Sequence, residues 1–97
     1  MILSFGNSGT EDIFNGQPSK AGRSVLPISL HGLAKRKLNM LAVATQLVDL
    51  RVPPANRLEK LGGKWSGYYS IRINDQWRIM FKWSTSNAEN VQIVDYH

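Results

Sequence analysis

The chain contains no cysteine and only two histidines. The first absence removes disulfide frameworks, thiolate metal sites and cysteine nucleophiles. The second leaves a zinc site short of nitrogen ligands. Long apolar runs are also missing: the longest, Met40 to Ala44, is five residues, against the ~20 that a membrane-crossing helix needs. The opening residues Met1-Ile2-Leu3-Ser4-Phe5-Gly6 lack the basic stretch and apolar core of a secretory signal, so a cytoplasmic protein with no membrane partner is expected. Acidic side chains are scarce, 7 against 12 Lys+Arg, for a net charge of +5 and a pI near 9.9. No Gly-rich phosphate loop, dinucleotide fingerprint or hydrolase nucleophile motif is present. What remains is 97 residues, 42% hydrophobic and 20% charged. Such a chain is expected to form one domain with a modest core, no resident cofactor or metal, and a polyanionic partner.

The positive charge is unevenly spread. Residues 1–48 carry five basic and two acidic side chains, whereas 51–82 carry seven (Arg51, Arg57, Lys60, Lys64, Arg72, Arg78, Lys82) against Glu59 and Asp75. Clustered Lys and Arg gain affinity for phosphates by releasing counterions. Lys35, Arg36 and Lys37 also adjoin, but on a helix they point about 100° apart and read as a solvated face.

Ile2 to Phe5 reads as a short strand. Ser8-Gly9-Thr10-Glu11 has capping-box spacing for a helix running to about Asn15, with Gly16 ending it. Residues 16–26 read as a loop. Pro27 suits a helix start, and Leu30, Leu33, Ala34, Leu38, Leu41 and Thr45 then form one apolar stripe. Thr45 to Leu50 reads as a further helical turn stopped by Pro53-Pro54. Strands are expected at Arg57–Leu61, Tyr68–Ile73, Gln76–Trp83 and Glu89–Tyr96. The order predicts an α+β fold: a mainly antiparallel sheet of four to five strands with two or three helices packed on one face.

Register follows from burial. Tyr69, Ile71 and Ile73 must share the buried face with Trp77, Ile79, Phe81 and Trp83. Ile73 then opposes Trp77, Ile71 opposes Ile79 and Tyr69 opposes Phe81, across a three-residue connection. A two-residue turn would instead put Arg78 against Ile71, in the core. The same register sets Arg72 opposite Arg78, and Tyr68 opposite Lys82, on the far face. Like charges so opposed are unfavourable unless a polyanion covers them. With Lys60, Lys64 and Tyr68 close by, that face is expected to bind unpaired RNA, the aromatic stacking on bases.

Asp95-Tyr96-His97 follows the Val91–Val94 segment. If Val91 and Ile93 face inward, Gln92, Val94 and Tyr96 share the face of the two arginines. RNA cleavage without a metal must deprotonate a 2′-hydroxyl, neutralise a phosphorane and protonate the leaving oxygen. His97 or Glu59 can move the protons, Asp95 can orient the imidazole, and arginines can stabilise the phosphate.

Three segments carry a resemblance: Leu50-Arg51-Val52-Pro53-Pro54-Ala55-Asn56-Arg57-Leu58-Glu59; Gly67-Tyr68-Tyr69-Ser70-Ile71-Arg72-Ile73-Asn74-Asp75-Gln76-Trp77-Arg78-Ile79; and Val94-Asp95-Tyr96-His97. Together they resemble the HigB toxins of the RelE/ParE superfamily, over nearly the whole chain. The resemblance implies a RelE-like fold and ribosome-dependent cleavage of mRNA at the A site of the 70S ribosome. It further implies a type II toxin neutralised by a HigA-type helix-turn-helix antitoxin that binds the helical and N-terminal side. Operator DNA would be bound only through that complex. On this resemblance Arg78, Asp95, Tyr96 and His97 match the catalytic surface; the residues themselves add Glu59 beside His97 as a proton-transfer candidate, with Arg72, Lys60, Lys64, Arg57, Tyr68 and Lys82 expected to hold RNA. Some members have a histidine where this chain has Glu59, and a lysine in the segment matching Leu61-Gly62-Gly63. Two rival functions use the same basic face: a gyrase poison of the ParE kind, and a non-catalytic RNA- or operator-binding module.

Overall fold

The structure is a computed structural model and describes residues 1–95. Its elements are helices α1 (Ser8–Phe14), α2 (Lys20–Val25) and α3 (His31–Val43), then strands β1 (Glu59–Lys60), β2 (Tyr68–Arg72), β3 (Trp77–Ser84) and β4 (Asn87–Asp95). The strands form one antiparallel sheet in the order β1-β2-β3-β4. Ile71, Ile73, Ile79, Phe81, Val91 and Ile93 are buried together with Ile13, Leu26, Ala34, Leu38 and Leu41 from the helical segments. The helices therefore cover one sheet face, the α+β layering expected.

The β2–β3 register is the expected one. Tyr69 pairs with Phe81, Ile71 with Ile79, Arg72 with Arg78 and Tyr68 with Lys82. The amides of both Ile73 and Asn74 reach the Trp77 carbonyl, and Asn74 Oδ1 accepts from the amides of Gln76 and Trp77. An asparagine accepting from amides two and three residues on closes the turn and leaves the apolar residues aligned.

Several boundaries differ from the expectation. Residues 2–5 make only two isolated parallel bridges, Ile2 to Ala88 and Phe5 to Val91. Even so they shield the outer edge of β4, and Thr10 Oγ1 accepts the next outward amide, from Ile93, at 3.0 Å. An edge covered in this way does not template pairing with another chain. Asn7, not Ser8, caps α1, its Oδ1 accepting from the Thr10 amide at 2.8 Å. Residues 16–26 are not all loop: α2 forms there, capped by Ser19 Oγ on the Gly22 amide. Pro27 precedes a 3₁₀ turn, Ile28–Leu30, and α3 ends at Val43, leaving Thr45 outside the helix. The turn after it is 3₁₀, Leu47–Arg51; Asp49 accepts from the Gln46 and Thr45 amides, which hold its carboxyl below the usual range.

Lys37 is a correction. It does not share a solvated face with Lys35 and Arg36 but is buried, its Nζ donating to Asn56 Oδ1 at 2.5 Å. Asn56, fully buried, donates in turn to the Leu50 carbonyl at 3.1 Å. This chain of bonds ties α3 to the segment that carries Arg57 and Glu59. Desolvation, and then the charge of Arg36, lower the Lys37 pKa. Below that lowered pKa, folding carries the full cost of a buried ammonium. As pH climbs from there toward the ordinary lysine value, the unfolded chain holds a proton the folded chain has released, so stability rises. Asn56→Ala strands the ammonium and the Leu50 carbonyl and is expected to cost about 3 kcal/mol. Lys37→Met removes the cation but leaves the buried Asn56 Oδ1 unpaired, so it is expected to cost about 1–2 kcal/mol, less than Asn56→Ala, and to abolish the alkaline rise. Urea unfolding across that pH range measures both; equal losses for the two variants would refute this account of the bond.

Candidate functional site

The segment after Pro53 shapes the sheet's second face. Pro54–Asn56 is a 3₁₀ turn, after which Arg57 takes a left-handed conformation, φ 45° and ψ 58°. That conformation is costly for a residue other than glycine, and here it accompanies an Arg57 carbonyl that accepts from Arg78 Nη2 at 2.6 Å. The chain then enters β1, whose Glu59 pairs with Ser70 and Lys60 with Tyr69. The Leu61 amide bonds the Tyr68 carbonyl, and a 3₁₀ turn, Gly63–Trp65, leads into β2.

Arg78 lies at the centre of what results. Its Nε donates to Ser70 Oγ at 2.9 Å, and its Nη1 is 3.7 Å from Glu59 Oε1. These partners fix the guanidinium, and the residue is only 5% exposed. Two arginines presented side by side on an open face are therefore not what the structure contains. Their Cα atoms are paired as expected, but the Arg72 side chain turns to an ion pair with Asp75 in the β2–β3 turn. Each guanidinium has its own carboxylate, so the opposed charges do not need a polyanion to be tolerated. Nor is the far face uniformly exposed: Ser70, Arg78 and Met80 are buried where residues 57–65 fold back across it.

They form the floor of a cleft of about 570 Å³, walled by Leu61, Gly62, Lys64, Trp65, Val94 and Asp95. On its rim, Trp65 and Tyr68 meet edge to face with centroids 5.6 Å apart. Lys64 Nζ lies 5.6 Å from the Trp65 ring, and Lys82 Nζ 5.2 Å from the Tyr68 ring. Interleaved cations and aromatic faces suit a single-stranded nucleic acid, the cations for phosphates and the rings for bases.

The expected site residues divide accordingly. Arg78, Glu59, Lys64, Tyr68 and Lys82 come together on one face, and Arg57 joins them through its carbonyl, with an exposed side chain. Lys60 does not, since pairing with Tyr69 assigns it to the opposite face. Val94 pairs with Arg78, so Gln92 and Val94 share its face as expected. Asp95 pairs with Trp77, accepts from Gln76 Nε2 at 3.0 Å and lines the cleft with Arg78. Tyr96 and His97 lie outside the described residues. Sequence reasoning missed Ser70 and Trp65. Ser70 was within reach, since alternation places it on the face of Arg72, a small hydroxyl beside an arginine. Trp65 sits in a Gly-rich turn where no periodicity assigns it a direction.

Comparison with known proteins finds a match over residues 4–97 to the family described as the RelE-like toxin HigB of type II toxin–antitoxin systems. Toxin HigB-1 of Vibrio cholerae serotype O1 is 41% identical over 69 residues, 71% of this chain and 73% of that protein. Endoribonuclease HigB of Proteus vulgaris is 29% identical over 97 residues, the full length of both. Among solved structures, a chain of the heterotetrameric YoeB–YefM toxin–antitoxin complex from Staphylococcus aureus superposes with a TM-score of 0.54. At 18% identity, covering 100% of this chain and 98% of that one, it shares the fold.

Proposed function

The chain belongs to the HigB-like family of RelE-like toxins of type II toxin–antitoxin systems, and we propose that it is a ribosome-dependent endoribonuclease that cuts mRNA in the A site. The observation that carries this reading is Arg78, held by Ser70, the Arg57 carbonyl and Glu59 on the floor of a cation-rimmed cleft. A cation fixed before substrate arrives stabilises developing negative charge without reorganising. A base removes the proton of the 2′-hydroxyl, whose oxygen attacks the adjacent phosphorus. Arg78 neutralises the phosphorane, and an acid protonates the departing 5′-oxygen. The products are a 2′,3′-cyclic phosphate and a 5′-hydroxyl end, with no metal required. His97 and Glu59 exchange the protons, Asp95 orients His97, and Tyr96 contacts the substrate. Lys64, Tyr68, Lys82 and the Arg57 side chain hold the RNA. The name of the Proteus vulgaris relative, an endoribonuclease, supports the reaction class.

The same reading gives the protein a cytoplasmic place and a HigA-type antitoxin, supported by the toxin–antitoxin complex among its structural neighbours. The helices cover the face opposite the cleft, so an antitoxin on that side leaves the cleft uncovered. Brief induction followed by mapping of mRNA 5′ ends is expected to show new 5′-hydroxyl ends inside reading frames. They should vanish when initiation is blocked beforehand. Intact messages with broken DNA would indicate a gyrase poison, and bound but uncut RNA on translating ribosomes a non-catalytic module.

A further inference from the structure

Trp65 has a setting that neither the core nor the reaction explains. It stands outside the buried cluster and is 40% exposed, although an indole stabilises a fold chiefly through the large area it buries. Its perpendicular contact with Tyr68 steadies the ring. It lines the same cleft as Arg78, and Gly62 lines that cleft too. Gly62 has an extended backbone, and a Cβ placed there meets nothing within 4 Å. Neither conformation nor crowding in the protein asks for glycine at that point, whereas a ligand passing close to the backbone would.

We propose that Trp65 is the stacking platform for an unpaired RNA base, seated so that the neighbouring phosphodiester crosses Gly62 to lie over Arg78. This rests on the reading of the cleft as an RNA site and adds to it the subsite that takes the base. The Lys64 ammonium, now near the indole ring, sits on a flexible stem and turns to a phosphate when a base arrives. Lys82, held on Tyr68, meets the backbone further along. Every base has a face to stack, so the subsite orders the strand without demanding one sequence.

The test uses the full-length protein and a 2′-O-methyl RNA trinucleotide, which lacks the attacking hydroxyl and so cannot be cut. Binding is followed by NMR titration, which tolerates weak affinity. The Trp65 indole N–H resonance is expected to shift on titration, and Trp65→Ala to weaken binding about tenfold. Trp65→Phe should retain most of the affinity. A trinucleotide with one base removed should bind the parent more weakly and lose nothing further in Trp65→Ala. Gly62→Val, which fills the wall from a position where the protein has room, should also weaken binding without lowering the melting temperature. Unchanged affinity in Trp65→Ala or in Gly62→Val, with Arg78→Lys still weakening binding, overturns the platform but leaves the cleft as an RNA site. No effect from any of the three, or no binding at all, overturns both.

Discussion

Arg78→Lys is expected to slow single-turnover cleavage of ribosome-bound mRNA at least a hundredfold, on the order of what one lost oxyanion donor costs. A lysine keeps the charge but not the planar fork. In the native protein Nε is spent on Ser70 and one Nη on the Arg57 carbonyl, and together these bonds set the plane in which the guanidinium meets a phosphate. An ammonium satisfies at most part of that set, so its charge arrives at a different place. Arg78→Ala is the harsher change. It leaves the buried Ser70 hydroxyl and the Arg57 carbonyl unpaired, and at about 1–3 kcal/mol for each stranded group the fold itself suffers. Lysine is therefore the informative substitution, and a melting curve beside the rate separates lost chemistry from lost structure. Ser70→Ala should act in the same direction more weakly, about tenfold, by freeing the guanidinium to turn. A well-folded Arg78→Lys that cleaves at the parent rate would remove Arg78 from the mechanism.

How far the sequence reaches is clearest in the pairing of β2 with β3. Each strand has one buried side, so the apolar residues had a single alignment, and Arg72 and Arg78 had to face each other. Period-two alternation decides which face a side chain takes; it does not decide what covers that face. The burial of Arg78 comes from residues 57–65 folding back, a path that begins with the left-handed Arg57, and no local pattern announces an arginine in that conformation. Lys37 shows the same limit. The two residues before it are charged, and the partner that makes its burial tolerable, Asn56, is 19 residues away. The helix α2 was missed for a related reason. Its six residues include a glycine and are too few to hold a helix alone, and it is held by packing on α1, where a Cβ at Gly9 would fall 2.4 Å from the Ala21 carbonyl oxygen. Contact that close is a tertiary fact. The Ser19 cap, by contrast, was there to be read.

Removing the imidazole in His97→Ala is expected to cost a further large factor, about 10² to 10⁴ in cleavage rate, the usual worth of a positioned acid or base, with the fold unaffected. The shape of the loss carries more information than its size. If His97 is the acid that protonates the 5′-oxygen, the parent loses activity as pH rises through the histidine range, near 6.5 for an unperturbed side chain. That decline should then be missing from His97→Ala. If it is the base, the fall toward acid pH should be the one that disappears. Glu59 is the natural complement, and its position gives it two opposing effects. It lies 3.7 Å from Arg78, so Glu59→Gln uncovers positive charge for the phosphate at the same time as it removes a proton acceptor. A role in proton transfer predicts that kcat falls while KM also falls, together with loss of the limb of the pH profile that His97→Ala leaves standing. A purely electrostatic role predicts the lower KM with kcat unchanged or raised. Profiles in which both limbs survive in both variants would show that neither side chain moves a proton, and that the acid and base come from the ribosome or the RNA.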